Sequence, residues 1–533
     1  MAKSNYSGLQ MRGLEKLLVA LVRGPIVFAT GAVNNEATPA IAYAYIISYL
    51  RRRGCRVVMI DAIGEGLNRT WPLKEYSGFR CHGLHFDEII SRIPKGADVI
   101  GFSGMFSGEW PVLRKLIIMV QEHFPEALIV AGGEHITALT EFSLRDCSAL
   151  DVCIRGEGEH TFYTLLKSCS ETGDFSNIDG IGYLDEDGCY QQNGDLPPRI
   201  RDIDSLPWPH WPNGYLEKFW KAGKSYGIAS KTDMPLMVSR GCPYLCTFCS
   251  SPHMWTSKYI LREVKDVIEE IKYYIEQYSI SSVQLYDLTA IIKKKWIVEF
   301  CKQLIEEDIK LNWSIPSGTR SEALDSEVIG LLKLTGCNYL VYAPDSGSPY
   351  TLNNIKKRIN LSQLSNSVME AKQHGLTVRT NLVIGFPCET RRDIFETLLY
   401  GLKMSIKGVD EVPIFIFSPY PGTEIFNELL DSGDITLNDE YFFQLTSLNG
   451  SYFSTNVISF NPHISSRELV IIRLIFTLSN YGISYFLRPY RIVRTLWNLL
   501  SNSNEASTVL EHRMKDLLNR RVLKSIKKKD VKL

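Results

Sequence analysis

A chain of 533 residues is long enough for three or four domains at about 100–200 residues each. Hydrophobic residues make up 45% and charged residues 22%, which is ordinary for a globular protein and excludes intrinsic disorder, a collagen-like repeat or a coiled coil over most of the length. Lys and Arg total 59 and so do Asp and Glu, so no overall field attracts nucleic acid or a membrane.

Short apolar runs and helical patterns alternate in the first part of the chain. The patterns predict helices at 39–53 and 110–123 and strands at 25–30, 56–61, 98–103, 127–131 and 152–155. Alternation at this spacing is typical of a doubly wound parallel sheet, so we expect a Rossmann-like domain over residues 24–172. Ligands of such sheets bind at the carboxyl ends of the strands.

A linker is expected over residues 173–228. Its segment Leu206-Pro207-Trp208-Pro209-His210-Trp211-Pro212 contains three prolines, which exclude both a helix interior and a central strand. Alternation resumes over 229–434, with strand-like runs at 236–239, 282–286, 311–315, 339–343, 377–384 and 412–418. At least six βα units in about 200 residues predict an open or closed α/β barrel.

The remainder, residues 435–533, is predicted to be a helical region that ends in a basic tail. Residues 488–533 contain twelve Lys and Arg against four Asp and Glu, a net charge of +8. With its apolar patches and Arg473, Arg488, Arg491 and Arg494, this region fits peripheral membrane contact that gathers a lipid substrate. A helical lid on the barrel with a solvated tail is the alternative that we favour.

Cysteine usage and hydropathy indicate the compartment. Twelve cysteines are too few for a disulfide scaffold, and no cleavable signal peptide is recognisable. The longest uncharged apolar stretch, 474–487, is shorter than the roughly 18–20 residues that span a bilayer. We therefore expect a reducing, cytoplasmic setting, in which clustered cysteines bind metals.

Three cysteines stand close together in Gly241-Cys242-Pro243-Tyr244-Leu245-Cys246-Thr247-Phe248-Cys249. The spacing CxxxCxxC directly after a strand allows three thiolates to converge on one soft metal centre. A structural zinc site normally has four protein ligands, and His253 is the only close candidate for a fourth. A [4Fe–4S] cluster held by three cysteines instead leaves one iron open to a small molecule.

This motif at the end of a barrel's first strand resembles the signature of radical S-adenosylmethionine (SAM) enzymes. Further matching pieces follow in the right order: Asp287, Arg320 in Ser317-Gly318-Thr319-Arg320, Asp345-Ser346-Gly347-Ser348, Gly385-Phe386-Pro387-Cys388-Glu389-Thr390 and Pro419-Tyr420-Pro421-Gly422-Thr423. They resemble the branch whose patterns read ESGS, GFPGET and PYPGT. Asp345 replaces Glu and keeps the carboxylate, whereas Cys388 replaces Gly and either removes a positive-φ option or adds a thiol near the site.

The resemblance implies a role for each motif. Cys242, Cys246 and Cys249 would ligate three irons of a [4Fe–4S] cluster, and SAM would chelate the fourth. Phe248 would pack near the adenine, Arg320 would pair with the SAM carboxylate, and Asp287 or Asp345 would hold the amine or the ribose hydroxyls. For the last three residues, an ion pair at the barrel rim is the alternative role.

The amino-terminal region lacks the GxGxxG that a dinucleotide requires. Its pieces resemble the cobalamin-binding domain of radical SAM enzymes: Asp98-Val99-Ile100-Gly101-Phe102-Ser103, Gly132-Gly133-Glu134-His135 and Arg155-Gly156-Glu157-Gly158-Glu159. The implied cobalamin contacts are Ser103, Gly132, Gly133, Gly156 and Glu157, since glycines let the backbone approach a corrin ring. A Rossmann layer that only shapes the cavity is the alternative.

The DxHxxG pattern, whose His would ligate cobalt, is missing, because Ala62-Ile63-Gly64 follows Asp61. The resemblance therefore implies a cobalamin without a lower His ligand from this domain. His82, His85 and His135 are candidates to replace it, although a lone His is more often structural, and we favour that interpretation.

Taken together, the resemblances imply a cobalamin-dependent radical SAM enzyme, and we favour a C-methyltransferase that acts on an unactivated carbon through a 5′-deoxyadenosyl radical and methylcobalamin. Oxidative cyclisation or rearrangement on the same scaffold is the alternative. A tRNA methylthiotransferase would carry a second cysteine triad, and Cys55, Cys81, Cys147 and Cys153 are not spaced like one. A cobalamin sensor is disfavoured by the intact triad. The expected partners are a small-molecule or lipid substrate and an electron donor such as flavodoxin or ferredoxin, without nucleic acid.

Overall fold

Two parallel β-sheets, one in each half of the chain, organise the structure. A computed structural model describes residues 13–30, 32, 37–195, 198–226, 230–450 and 457–500, together with 508, 511, 514, 515 and 518. Most of the basic tail expected from the sequence lies outside these residues.

The first half alternates strands and helices. Its strands are β1 (Leu18–Arg23), β2 (Ile26–Ala29), β3 (Arg56–Asp61), β4 (Thr70–Pro72), β5 (Phe79–His82), β6 (Val99–Ser103), β7 (Leu128–Gly132), β8 (Val152–Ile154), β9 (Ile181–Leu184) and β10 (Tyr190–Gln192). Its helices are α1 (Ile41–Arg52), α2 (Ala62–Glu65), α3 (Phe86–Arg92), α4 (Trp110–His123), α5 (Glu134–Ala138), α6 (Thr140–Asp146), α7 (Gly158–Glu171) and α8 (Tyr215–Lys221).

Seven of these strands form one sheet in the order β10-β9-β8-β7-β6-β1-β3. The five from β8 to β3 run parallel, and β9 and β10 add an antiparallel edge. This arrangement confirms the Rossmann-like expectation. The sheet extends beyond the expected range of 24–172, since it begins at β1 and takes in the β9–β10 hairpin from the segment expected to be a linker.

The expected first strand, 25–30, is wrong as a member of this sheet. Its residues form β2, which pairs antiparallel with β5 in a separate three-stranded sheet. The true first strand is β1, where Val19 and Leu21 pack into the apolar cluster on one face and Ala20 and Val22 into the cluster on the other. A strand buried on both faces reads as a continuous apolar run, which hides the alternation that identifies strands.

The second half is built around another parallel sheet. Its strands are β11 (Asp233–Leu236), β12 (Ser239–Arg240), β13 (Ile260–Leu261), β14 (Ser282–Leu285), β15 (Asn312–Thr319), β16 (Cys337–Asp345), β17 (Thr377–Ile384) and β18 (Ile414–Ile416). Its helices are α9 (Ser251–Trp255), α10 (Val264–Tyr278), α11 (Lys294–Glu306), α12 (Ser326–Leu334), α13 (Pro349–Asn354), α14 (Leu361–Gln373), α15 (Arg391–Lys407) and α16 (Glu424–Asp431).

Six of the strands run parallel in the order β11-β14-β15-β16-β17-β18, and β12 and β13 form a separate short hairpin. Among the described residues the sheet does not close from β18 to β11, so the barrel is open. In β16, Leu340 packs against the helices, whereas Tyr339 and Val341 form a cluster of their own on the other face. This alternation gives the barrel wall a packed outside and a distinct inner face.

The last part of the described chain is helical, as expected. Its helices are α17 (Asp439–Gly450), α18 (Ser466–Leu487) and α19 (Tyr490–Leu500). Tyr441, Phe442 and Phe443 of α17 join the apolar cluster that spans the first sheet and the barrel, so this helix bridges the two halves. Helix α18 packs along α15 and β18.

Helix α18, with 22 residues, is also long and apolar enough to cross a bilayer. Only 28% of its most apolar window is buried in the structure. The expectation from the sequence rested on the uncharged run alone and did not foresee a helix of this length.

Two leucines test how far the barrel core contributes to stability. Leu340 is fully buried, and Leu334 at the end of α12 is 72% exposed. We expect Leu340→Ala to lower the free energy of unfolding by about 2–5 kcal/mol, because it leaves a cavity in the core. Leu334→Ala should change it by less than about 0.5 kcal/mol in the same urea denaturation experiment. Equal effects of the two variants would contradict the packing described for β16.

Candidate functional site

The three cysteines lie in a loop at the carboxyl end of the barrel strands. The loop follows β12 and leads into α9, and the amide of Cys249 donates a hydrogen bond to the carbonyl of Cys246 at 3.1 Å. Cys242, Cys246 and Cys249 are free thiols and half-buried. Among the residues that the structure describes, no group of three His, Cys, Asp or Glu side chains has the geometry of a single metal-ion site.

Burial in this loop raises the free energy of a charged thiolate unless a cation lies nearby. It raises the pKa of Cys249 to about 12 and also raises the pKa of Cys246, where the positive charges of Lys357 and Arg320 act in the opposite direction. A bound metal centre compensates such a cost, because a coordinating thiol loses its proton outright. Three half-buried thiols in one loop therefore fit an iron–sulfur cluster, and the two cations offset the negative charge of the thiolates.

Charged side chains gather next to this loop at the ends of β15 and β16. Asp345 pairs with Lys357 at 2.6 Å, and both side chains are at most 12% exposed. The guanidinium of Arg320 lies 3.6 Å above the ring of Tyr244, which is in the cysteine loop, and donates hydrogen bonds to Glu322 and to the carbonyl of Arg358. A carboxylate and two cations in one place can hold an amino acid group such as that of SAM.

Lys357 was missed in the sequence, where it stands in the run Lys356-Lys357-Arg358. The turn at Asp345 has φ = +63°, a conformation that non-glycine residues rarely adopt. This backbone directs the chain into Ser346 and α13, and Lys357 follows α13. Because the pairing depends on that turn, hydropathy and spacing did not reveal it.

Asp287 lies beneath the cysteine loop and is fully buried. Its carboxylate accepts hydrogen bonds from the amides of Val238 and Ser239 and from the Ser239 hydroxyl. Burial raises its pKa to about 6. Asp287 therefore fixes the turn between β11 and β12, and its implied contact with SAM stays a prediction.

Phe248 and the loop after β17 form another wall of the site. The ring of Phe248 lies 5.3 Å from that of Phe386. Glu389 accepts hydrogen bonds from the amides of Gly385 and Phe386 at 2.6 and 3.0 Å, and burial raises its pKa to about 8. Cys388, which stands where the family pattern has Gly, does not have a positive φ. The backbone therefore does not require glycine at this position, and the cysteine adds a half-buried thiol.

The glycines of the implied cobalamin site lie at the carboxyl ends of the first sheet. Ser103 ends β6 and Gly132 ends β7. Gly133 has φ = +114°, and a Cβ there would come within 2.7 Å of the Gly104 carbonyl oxygen. Gly156 follows β8 with φ = +72°. Gly132 and Gly133 are half-buried at this edge and Gly156 is buried, so glycine at 133 and 156 satisfies the local backbone, and the implied contacts with a corrin stay a prediction.

Glu157 has a different environment from the glycines. Its carboxylate accepts hydrogen bonds from Arg199 and Arg240, each at 2.8 Å, and Arg240 also donates to Glu159 at 2.6 Å. The four side chains, at most 7% exposed, form what we term the Arg240 network: Arg199, Arg240, Glu157 and Glu159. Through this network the loop after β8 contacts Arg240, which stands two residues before Cys242.

A second set of contacts connects the loop after β7 with the cysteine loop. The Ser250 hydroxyl donates to Glu134, and His253 Nε2 lies 3.3 Å from the carbonyl oxygen of Thr137. The carboxyl ends of β7 and β8 therefore hold the cysteine loop from the side of the first sheet.

The candidate histidines have structural surroundings. His135 stacks on Trp110 at 4.8 Å, its Nδ1 lies 3.0 Å from the Ser107 hydroxyl, and burial lowers its pKa to about 3. His82 is fully buried in β5, and His85 precedes α3 at the surface. His135 stands two residues after Gly133, but its ring is buried against Trp110 and Phe442.

Two family models match the chain. The model for the radical SAM superfamily matches residues 236–400, and the model for the B12 binding domain matches residues 29–166. Together the matches span more than half of the chain. They meet in the Arg240 network, since Arg240 belongs to the first match and Glu157 and Glu159 belong to the second.

Curated relatives cover most of the chain. An uncharacterized methyltransferase, PH0819, of Pyrococcus horikoshii is 26% identical over 492 residues, 91% of this chain and 95% of the relative. Cytidylyl-2-hydroxyethylphosphonate methyltransferase of Streptomyces wedmorensis is 27% identical, over 78% of this chain and 82% of the relative. Anaerobic magnesium-protoporphyrin IX monomethyl ester cyclase of Rubrivivax gelatinosus is 24% identical, over 79% of this chain and 71% of the relative.

The structure also resembles a solved one. The cobalamin-dependent S-adenosylmethionine radical enzyme OxsB, with aqua-cobalamin and S-adenosylmethionine bound, superimposes with a TM-score of 0.66. The match covers 97% of this chain and 80% of that chain at 15% sequence identity, which shows a shared fold.

The Arg240 network should contribute strongly to stability. We expect Arg240→Met to lower the free energy of unfolding by about 3–5 kcal/mol, because it leaves two carboxylates buried with one cation between them. Arg69→Met, which breaks an exposed pair with Glu88, is the control and should cost less than about 1 kcal/mol. Urea denaturation measures both, and adding Glu159→Gln to Arg240→Met should recover part of the loss. A loss below about 1 kcal/mol for Arg240→Met would contradict the buried network.

The raised pKa of Glu389 predicts a pH dependence of stability. Since the folded protein holds this proton up to about pH 8 and the unfolded chain releases it near its ordinary value of 4.5, stability falls as pH rises through this window. Glu389→Gln should therefore lose less stability than the wild type between pH 6 and pH 8, by up to about 2 kcal/mol. Glu424→Gln, at a surface ion pair with Lys356, should keep the wild-type dependence. Identical profiles for wild type and Glu389→Gln would refute a raised pKa.

Proposed function

This chain belongs to the cobalamin-dependent radical SAM enzymes, and we propose that it is a C-methyltransferase that acts on an unactivated carbon of a small molecule. The observation that carries the proposal is the junction of its two domains. The Arg240 network and the Ser250–Glu134 hydrogen bond hold the cysteine loop against the carboxyl edge of the first sheet. The cysteine loop and the carboxyl edge of the first sheet therefore lie next to each other.

The residues of the cysteine loop and its surroundings would hold the iron–sulfur cluster and SAM. Cys242, Cys246 and Cys249 are the proposed ligands of a [4Fe–4S] cluster. Arg320 and the Asp345–Lys357 pair are placed to bind the charged amino acid end of SAM, and Phe248 offers an apolar surface to its adenine. Asp287 is assigned a supporting role, because its carboxylate is saturated by the backbone of the loop.

The glycine edge of the first sheet would hold cobalamin. Gly132, Gly133 and Gly156 present backbone without side chains, and Ser103 supplies a hydroxyl at the end of β6. Glu157 is proposed to support this edge from below through Arg199 and Arg240, without contacting the cofactor. None of the three candidate histidines is proposed as a ligand of cobalt.

The cofactors and the protein have separate tasks in this proposal. When bound, the cluster with SAM supplies a 5′-deoxyadenosyl radical, and cobalamin supplies the methyl carrier. The protein would bind the charged amino acid end of SAM, offer an apolar surface to its adenine and keep the two cofactors on neighbouring loops. The ion pair of Asp345 with Lys357 keeps both groups oriented before a ligand replaces one partner.

The relatives support a transfer of a methyl group. Two of the three compared relatives are methyltransferases by name, including the one that this chain covers almost completely. The cyclase relative favours a second candidate, oxidative cyclisation or rearrangement on the same cofactors. An electron donor such as flavodoxin or ferredoxin is the proposed protein partner, because the cluster needs one electron for each SAM cleaved.

The experiment uses anaerobically reconstituted full-length protein with SAM labelled in its methyl group. The wild type should contain about four iron and four sulfide per chain, release 5′-deoxyadenosine under reductant and transfer the label to bound cobalamin, whose spectrum should be base-off. The triple variant Cys242→Ala, Cys246→Ala, Cys249→Ala should lose the iron and the 5′-deoxyadenosine. Cys189→Ala, at an exposed free thiol outside the site, should behave as the wild type.

Each outcome decides between the candidates. Label in cobalamin supports the methyltransferase, whereas 5′-deoxyadenosine without transfer of the label favours the cyclase-type reaction. A zinc-loaded protein that releases no 5′-deoxyadenosine would overturn both.

A further inference from the structure

The outer sides of α18 and α19 expose an unusual number of large apolar residues. Eleven side chains on these helices have exposed fractions between 45% and 85%: Ile471, Ile475, Leu478, Phe486, Leu487, Tyr490, Ile492, Val493, Leu496, Trp497 and Leu500. Single exposed apolar residues are normal on protein surfaces. A run of them over two consecutive helices marks an interaction site. We term these eleven residues the α18–α19 surface.

The four arginines that the sequence suggested for lipid headgroups are engaged within the protein, including Arg494, which lies 3.8 Å from Asp410 and 3.5 Å from Glu511. Arg491 is 2% exposed and donates hydrogen bonds to the carbonyls of Gly408 and Val409 and to Asp410. Arg473 is also 2% exposed, and Arg488 donates to carbonyls at the end of α15. The cations that the sequence suggested for lipid headgroups therefore anchor the helices to the barrel, and the exposed side is left apolar.

Four of the exposed apolar residues of α19 lie on one side of the helix. Val493, Leu496, Trp497 and Leu500 recur at intervals of three and four residues, which places them on one side of the helix. Trp497 and Tyr490 are 73% and 60% exposed. Amphipathic aromatic rings of this kind are enriched at the boundary between a membrane and water.

The sequence beyond α19 is strongly basic. Residues 520–533 contain seven Lys and Arg against one Asp. Positive segments next to an apolar helix are attracted by the anionic lipids of a bilayer. A second copy of this chain would carry the same excess of positive charge in this segment, which disfavours self-association.

The α19 end of the surface lies away from the proposed cofactor site. Gly408 and Val409, which receive the hydrogen bonds of Arg491, precede β18, so α19 is at the amino end of the barrel strands. The cysteine loop is at the opposite, carboxyl end. Helix α18 runs from the carboxyl end of the strands, where Leu469 lies beside Gly385 and Glu468 pairs with Arg391, to this amino end.

We propose that the α18–α19 surface docks on an anionic lipid bilayer and lies in its interface. The buried side of α18 excludes a crossing in this fold, because Leu469, Arg473, Phe476, Asn480 and Ser484 face the protein. The helices immerse their apolar side chains, and the basic residues that follow interact with anionic headgroups. This inference goes beyond the proposed function and does not depend on it.

Flotation of the full-length holoenzyme with lipid vesicles tests the proposal. We expect the protein to float with vesicles of phosphatidylcholine containing phosphatidylglycerol and to bind at least about tenfold less to phosphatidylcholine alone. Binding to the anionic vesicles should fall several-fold when salt is raised to about 1 M, since screening then acts over about 3 Å.

Variants locate the contact. Val493→Asp with Trp497→Asp should reduce flotation about tenfold or more, because two charged side chains replace immersed apolar ones. Leu334→Asp, at a 72% exposed leucine on α12, is the matched control and should float as the wild type. Trp497→Ser is a milder second variant and should weaken binding without adding a charge.

Several outcomes would overturn the proposal. These are wild-type protein that stays unbound, equal binding to both vesicle types, or an equal loss for Leu334→Asp. A dimer in sedimentation experiments that Val493→Asp with Trp497→Asp dissociates would assign the surface to a second copy instead. Release of 5′-deoxyadenosine, measured on the same preparations, reports separately on the proposed function.

Discussion

The buried ion pairs between Arg240 and the two carboxylates Glu157 and Glu159 are the constraint on which the rest of the site depends. Two charges taken out of water are tolerated only when they are well paired, so neither domain can keep its own half of the network buried alone. The residues lie 81 and 83 positions apart, yet they join the loop after β8 to the start of the cysteine loop. The distance between the two cofactor regions is therefore set by electrostatics as well as by packing.

The cysteine loop is supported by backbone contacts and balanced by charge. Asp287 holds the turn before the loop, and the Arg240 network holds it from the other domain. Lys357 and Arg320 then place positive charge beside thiols whose pKa burial has raised. A loop with this much support changes little when it binds a ligand, and a preorganised site of this kind suits a reactive intermediate that must meet one carbon atom.

Local patterns predicted the barrel well and the first sheet less well. Each barrel strand is an apolar run bounded by turn residues, so its position followed from the sequence, and the cysteine spacing identified the loop. The strand β1 was missed because it is buried on both faces and the neighbouring run at β2 has the same composition. The Asp345–Lys357 pair and the Arg240 network were missed because they join residues through turns and across domains, where spacing in the chain carries no information.

The two ends of the barrel have opposite character, and this follows from the contacts of Arg488, which follows α18, and of Arg491 in α19. At the carboxyl ends of the strands, charged groups point inward to a space between two domains. At the amino ends, Arg491 and Arg488 donate hydrogen bonds to carbonyls at the turn around Gly408, so the exposed side of the helices is mostly apolar there. An arginine that satisfies buried carbonyls cannot also bind headgroups, so attraction to a charged surface must come from the basic residues after α19. In this proposal the apolar side chains of α18 and α19 enter the bilayer, and the basic residues that follow attract its anionic headgroups. Each segment can be altered without changing the cofactor loops.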